Sequence, residues 1–120
     1  MRDFGIPFAF YYLDDDLNPN LESIADNEWL LYVNYFGNAS KDQLRNIKNK
    51  YKRVIFDNTQ AFFAEPFLEE DSFNAYSCRK FVGVPDGAYL VWGGNRQIDT
   101  NYPVDVSWER SAFLFKSLEL

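Results

Sequence analysis

Five polar side chains each follow an apolar run. Asn34 comes directly after Trp29 to Val33, Asp57 comes after Val54 to Phe56 with Gln60 one turn further, and Ser77 and Lys80 close the segment that follows Phe73 to Tyr76. Short apolar runs of this kind read as buried strands, and open α/β sheets take their ligands outside the carboxyl ends of the parallel strands. A lysine amine placed there can condense with a carbonyl, and a carboxylate placed there can keep a ring nitrogen protonated. The rest of the composition narrows the choice. The chain has no His and a single cysteine, Cys78. A Cys/His zinc site, a Ser-His-Asp or Cys-His nucleophile system and a disulfide framework therefore cannot be built within one chain. Carboxylates, amides, hydroxyls and lysines are the tools left.

Positioning such groups requires strands, and the pattern along the chain supplies them. Phe8 to Leu13 is apolar throughout and stops at Asp14-Asp15-Asp16, which predicts a strand buried on both faces and ending at an acidic turn. Asn18 to Asn27 reads as a short helical or loop connection, and Trp29 to Val33 as a second buried strand that ends in Asn34-Tyr35-Phe36-Gly37. A helix over Lys41 to Lys50 follows. Ser40 is its N-cap with Gln43 as capping-box partner, and Leu44, Ile47 and Tyr51 form one apolar stripe. Lys48, Lys50, Lys52 and Arg53 suit its C-terminal end, where the macrodipole favours cations. With Val54 to Phe56 as the next strand, the order strand, helix, strand predicts a parallel βαβ unit with a right-handed crossover. Beyond a Phe-rich loop (Phe62, Phe63, Phe67), strands are expected around Phe73 to Ser77 and over Ala88 to Trp92, separated by the turn Gly83 to Gly87. A last helix opens at Ser107.

The 120 residues carry 12 Lys and Arg against 18 Asp and Glu, a formal charge of −6, with 47% apolar and 25% charged residues. That is the composition of one soluble domain, here a single α/β domain over residues 1–120. The acidic balance argues against nucleic acid, whose backbone is held by Lys and Arg. The longest apolar runs fall far short of the ~20 residues of a membrane helix, and Asp3 stands where a signal peptide would be basic and then apolar. No membrane association and a cytoplasmic location are expected. Asp14 to Asp16 and Glu69 to Asp71 read as solvated turns, and no metal site is expected.

A carboxylate at a buried strand end with a lysine from a neighbouring strand is what a pyridoxal phosphate site requires: the lysine forms the Schiff base and the Asp keeps the pyridinium nitrogen protonated. The segment Val54-Ile55-Phe56-Asp57-Asn58-Thr59-Gln60-Ala61 resembles the D-x-x-(Q/H/Y) strand end of fold-type I pyridoxal-phosphate enzymes. Ser77-Cys78-Arg79-Lys80-Phe81-Val82-Gly83 is similar to their S-x-x-K-x-x-G segment, and Asn34-Tyr35-Phe36-Gly37 resembles the N-P-x-G that precedes both. Phe8 to Trp92 as a whole resembles the middle of the large domain of the aspartate-aminotransferase superfamily, nearest to the DegT/StrS-type sugar aminotransferase-like proteins of polysaccharide biosynthesis.

The resemblance implies a partial fold-type I large domain, with a mostly parallel sheet, βαβ units and flanking helices. It implies Lys80 as the Schiff-base lysine and proton carrier, and Asp57 as the pyridinium partner. Gln60 and Asn34 would lie near the ring face and its 3-oxygen, and Ser77 near the phosphate. An amino-acid donor and a keto-sugar-like acceptor would be the substrates, and a homodimer the assembly, with Phe62, Phe63 and Phe67 near the interface. The family's glycine-rich phosphate loop and its small domain have no counterpart in these residues, so a fragment of the large domain is expected. The rival expectation is a non-catalytic remnant of that fold, binding a protein or carbohydrate through its aromatic surface. A nucleotide-binding domain would need a glycine pattern that the sequence lacks.

Overall fold

A computed structural model describes residues 4–84, 86–99, 101 and 103. Four strands form one sheet: β1 (Leu30–Val33), β2 (Val54–Asp57), β3 (Ser72–Ser77) and β4 (Ala88–Trp92), in the spatial order β1-β2-β3-β4. β1 and β2 are parallel with Leu30 opposite Val54, and β2 and β3 are parallel with Val54 opposite Ser72. The helix α1 (Lys41–Tyr51) makes the crossover between β1 and β2, as the alternation of apolar run and amphipathic stretch implied. β4 returns antiparallel to β3, with Ser77 opposite Ala88. The connection between them is too short to hold a crossover helix, so only the reversed direction is open to it. The sheet is thus mixed, and α1 is its one α-helix among the described residues.

Local chemistry explains α1. Ser40 is extended and its Oγ accepts a hydrogen bond from Gln43 N at 3.1 Å, satisfying one of the donors that a helix start leaves unpaired. Leu44, Ile47 and Tyr51 are buried and point at the sheet. They meet Leu30, Tyr32, Val54, Phe56 and Phe67 in one core, each side chain worth about 1.5–3 kcal/mol in apolar area removed from water. Tyr51 adds a polar tie, its hydroxyl donating to the carbonyls of Pro19 and Leu21 at 3.0 and 2.9 Å. Lys52 ends the helix with φ +59° and its N–H bonded to Lys48 O.

The core lies on one face of the sheet. Along β1, β2 and β3, every second residue is buried against α1 or the Phe67 loop, while Leu31, Ile55 and Phe73 look to the other face. β1 is therefore not buried on both sides, and Leu31 stays exposed. Two polar residues share the buried face of β3. Asn74 accepts from Phe67 N and donates to Phe67 O at 2.9 and 2.8 Å, so one amide satisfies both backbone groups of the residue that the loop inserts into the core.

The segment Phe8 to Leu13 departs from expectation. It forms no strand, Phe8, Phe10 and Tyr12 are exposed, and pairing is limited to a single bridge between Leu13 and Pro19. The acidic turn explains the bridge. Asp14 Oδ1 accepts from Asp16 N and Asn18 N, and the chain folds back through Leu17 at φ +63°. An apolar run becomes a buried strand only where neighbouring strands take up its backbone groups, and none lies alongside this one. The helix expected from Ser107 falls outside the described residues. No helix among the described residues is long and apolar enough to cross a membrane.

Candidate functional site

The carboxyl ends of β1, β2 and β3 share one edge of the sheet, and all five residues singled out from the sequence lie along it. The register sets Val33 opposite Asp57 and Asp57 opposite Ala75. Side chains alternate along a strand, so Asp57 and Ser77, two residues beyond Ala75, share the face opposite α1. Asn34 and Asn58, one step further along β1 and β2, turn to the helix face and are buried.

Asn34 is fully engaged in structure. Its Nδ2 donates to Asn58 Oδ1 at 2.9 Å, and its Oδ1 accepts from Ala39 N at 3.2 Å. This fixes the 3-10 turn Tyr35–Gly37, in which Phe36 has φ +56° and keeps its ring in solvent. Gly37, at φ +72°, passes so near the next loop that a Cβ there would sit 3.5 Å from Ala61 Cβ. The turn after β1 thus rests on the residue next to Gln60.

Asp57 is half-buried. One carboxylate oxygen accepts from Thr59 N at 2.9 Å in an Asx turn, and the other has no hydrogen bond among the described residues. Gln60 is the site's unusual member, because its Oε1 is buried and no donor among the described residues reaches it. A buried acceptor without a partner costs about 1–3 kcal/mol, and such groups are rare enough in folded proteins to need a reason.

Lys80 is exposed in the turn after β3, where Cys78 O accepts from both Phe81 N and Val82 N at 2.9 Å. Neither Lys80 nor Arg79 forms an ion pair among the described residues. The aromatic residues bring this turn against the loop after β2. Phe81 stacks on Phe62 with centroids 5.8 Å apart and planes 19° apart, and Phe63 and Tyr89 meet the same pair. Since Phe62 is two residues past Gln60 and Phe81 adjoins Lys80, the two functional loops are held side by side. Below them Tyr76 donates to Ala64 O at 3.0 Å, and burial pushes its phenol above the ordinary range.

One residue of this edge, Asn58, went unnoticed in the sequence. Asn58 holds β1 to β2, and its position just after an apolar strand was the available signal. Cys78 is buried with its Sγ 3.6 Å from the carbonyl oxygens of Asp86 and Gly87, so it packs the return into β4.

A cleft of about 420 Å³ lies at the other edge of the sheet between Glu70, Asp71, Gly93, Asn95 and Arg96. Its chemistry is self-contained. Arg96 pairs with Asp71 at 2.7 Å and covers the rings of Trp29 and Phe73, clamping the end of β4 to the start of β3. We therefore place the candidate site at the carboxyl edge, where groups remain unpaired. No family model, curated protein or solved structure matches the chain.

Proposed function

We propose that the chain is a pyridoxal-phosphate-dependent aminotransferase-like domain, whose parent chemistry is amino transfer from an amino-acid donor to a keto sugar or similar small carbonyl compound. The observation that carries this reading is the buried, donorless Oε1 of Gln60, three residues beyond an Asp whose face of the sheet also holds Ser77, with Lys80 on the adjoining loop. The donor set suits the cofactor. Asp57 has a carboxylate oxygen for a protonated ring nitrogen, Gln60 an acceptor for the ring hydroxyl, Ser77 a hydroxyl for the phosphate, and Lys80 an amine for the carbonyl.

When bound, the cofactor would supply an electron-accepting ring for amino-acid chemistry. Asp57 would keep its negative charge against that ring's nitrogen, and its Asx turn holds the carboxylate in place for this. The Lys80 amine, at Nζ, would take up and return a proton at the amino-bearing carbon of the bound substrate. Asn34 takes a different part from the one the resemblance implies. With both ends of its amide engaged, it braces the edge rather than meeting the ring.

A second reading, a remnant that binds a protein or carbohydrate, draws on the rings left in solvent beside the site, Phe63 at 80% and Phe36 at 76% exposure. One experiment separates the two. The purified chain is mixed with pyridoxal phosphate, reduced with borohydride and mapped by peptide mass spectrometry. The first reading expects label concentrated on Lys80 and several-fold weaker in Asp57→Ala. Label spread evenly over Lys41, Lys48, Lys50, Lys52, Lys80 and Lys116 overturns it in favour of the remnant.

A further inference from the structure

We propose that the apolar ribbon from Phe4 to Tyr12 and the free edge of β1 are two halves of a self-association surface, the ribbon of each copy adding as a strand along β1 of a second copy of this chain. Among the described residues β1 is an edge strand. The N–H groups of Leu30 and Asn34 bond inward to Arg53 O and Asp57 O at 3.0 and 2.9 Å, so by alternation those of Leu31 and Val33 point outward. A row of outward backbone groups is a template for another strand. Among the described residues, this edge receives only the Tyr11 hydroxyl, which donates to Leu31 O at 2.7 Å.

The ribbon is the complement of that edge. From Phe4 to Leu13 it carries no charged residue, and Phe8 to Leu13 is free of proline and glycine. Tyr11 and Leu13 pack against the core, while Phe10 is 90% and Tyr12 86% exposed. That is the two-residue period of a strand with one face seated and one face bare. Phe4, Ile6 and Phe8 are exposed as well, as are the residues between them, so the alternation itself is confined to Phe10 to Leu13. Aromatic side chains bury about 150–250 Å² each, so the exposed part of the ribbon amounts to on the order of 700 Å². A typical monomer's largest apolar patch is about 300–600 Å², whereas each partner in a stable interface contributes about 800 Å². A second copy brings both a ribbon and an edge, so a two-fold axis makes the contact twice and leaves neither half open. Asp14 to Asp16 end the ribbon and stop the ladder from propagating.

The test is the solution mass by size exclusion with light scattering over a dilution series. Twice the 14.1 kDa chain mass is expected for the native sequence. The double variant Phe10→Lys, Tyr12→Lys changes two solvent-exposed rings, and it should run at the single mass with an unchanged far-ultraviolet circular dichroism spectrum. Val33→Pro removes one outward N–H and leaves the inward ladder, and should do the same. A native chain that stays at 14.1 kDa throughout, a mass beyond two copies, or a doubled mass retained by the lysine variant each overturns the proposal.

Discussion

The side-chain amides of Asn34 and Asn58 join the ends of two adjacent parallel strands through a 2.9 Å hydrogen bond, with the two residues only 1% and 2% exposed. Buried polar bonds of this kind specify an arrangement more than they stabilise it, since each amide would be costly to leave unpaired. Here the arrangement has two consequences. The Asn34 side-chain oxygen holds Ala39 N, which sets the entry into the Ser40 cap of α1, and the main-chain carbonyl of Asn58 accepts from Ala61 N, which sets the loop that carries Gln60. One amide pair therefore orients both the crossover helix and the candidate site.

Replacing Asn58 by Leu keeps the branched shape, with methyl groups larger than the polar atoms they replace, and leaves the Asn34 amide without its acceptor. Stability should fall by about 1–3 kcal/mol, the cost of a stranded buried polar group. Urea unfolding of Asn58→Leu, Asn34→Leu and the double variant checks this, because the double variant removes both partners and should lose less than the two single losses added together. Strict additivity would mean that the two amides do not meet.

Ser40→Ala should cost about 0.5–2 kcal/mol, because the Oγ that accepts from Gln43 N disappears and nothing replaces it. Ser40→Asp restores an acceptor and places a negative charge at the positive end of the helix dipole, so it should unfold at a urea concentration close to that of the native chain. Equal losses in both variants would show that the hydroxyl does not cap α1.

The crossover unit was legible because several signals agreed over a short stretch: the apolar run of β1, the Ser40 cap, the stripe of Leu44, Ile47 and Tyr51, and the apolar run of β2. Phe8 to Leu13 was misread because composition reports what a segment could bury, not whether a neighbour exists to bury it. β1 had a weaker form of the same problem, with Leu31 as apolar as Leu30 but on the face that α1 does not cover. At the site, residue order placed Asp57, Gln60, Ser77 and Lys80 on one edge, since each strand end is visible in the letters. The Asn34–Asn58 bond was not visible, because it depends on the register between strands, and an amide after a strand reads equally well as a ligand or a brace.

Alkaline titration should find late phenols, with Tyr11 the furthest displaced and Tyr32 and Tyr76 also pushed up by burial. Tyr11 is pushed up to about 12 from 10.0, first by burial and then by the neighbouring phenols of Tyr32, Tyr35 and Tyr51. Below the ordinary value both folded and unfolded chains keep the proton, and the contribution to stability is fully present. Between 10.0 and about 12 the unfolded chain has lost the proton that the folded chain still holds, so stability declines as pH rises through that window. Tyr11→Phe should remove the latest component from the ultraviolet titration, leave the smaller displacements of Tyr32 and Tyr76, and lessen the decline. Joint titration of all 8 tyrosines near 10 with the fold intact would contradict the burial of this hydroxyl.

Gln60 offers the sharpest link between stability and function. Its Oε1 has no donor among the described residues, so replacing the amide by the similarly shaped but apolar side chain in Gln60→Met removes a penalty without opening a cavity. The variant should be more stable by about 1 kcal/mol, toward the low end of the cost of an unsatisfied buried group. If the same oxygen accepts the ring hydroxyl of pyridoxal phosphate, Gln60→Met should also weaken borohydride trapping at Lys80 by roughly tenfold, the equivalent of about 1.4 kcal/mol. Urea unfolding and labelling measured on one preparation read the two effects together. A gain in stability with unchanged labelling would leave Gln60 a packing defect and move the ring elsewhere along the edge. A loss of stability would show that the oxygen already has a partner, and would remove the observation on which the cofactor assignment rests.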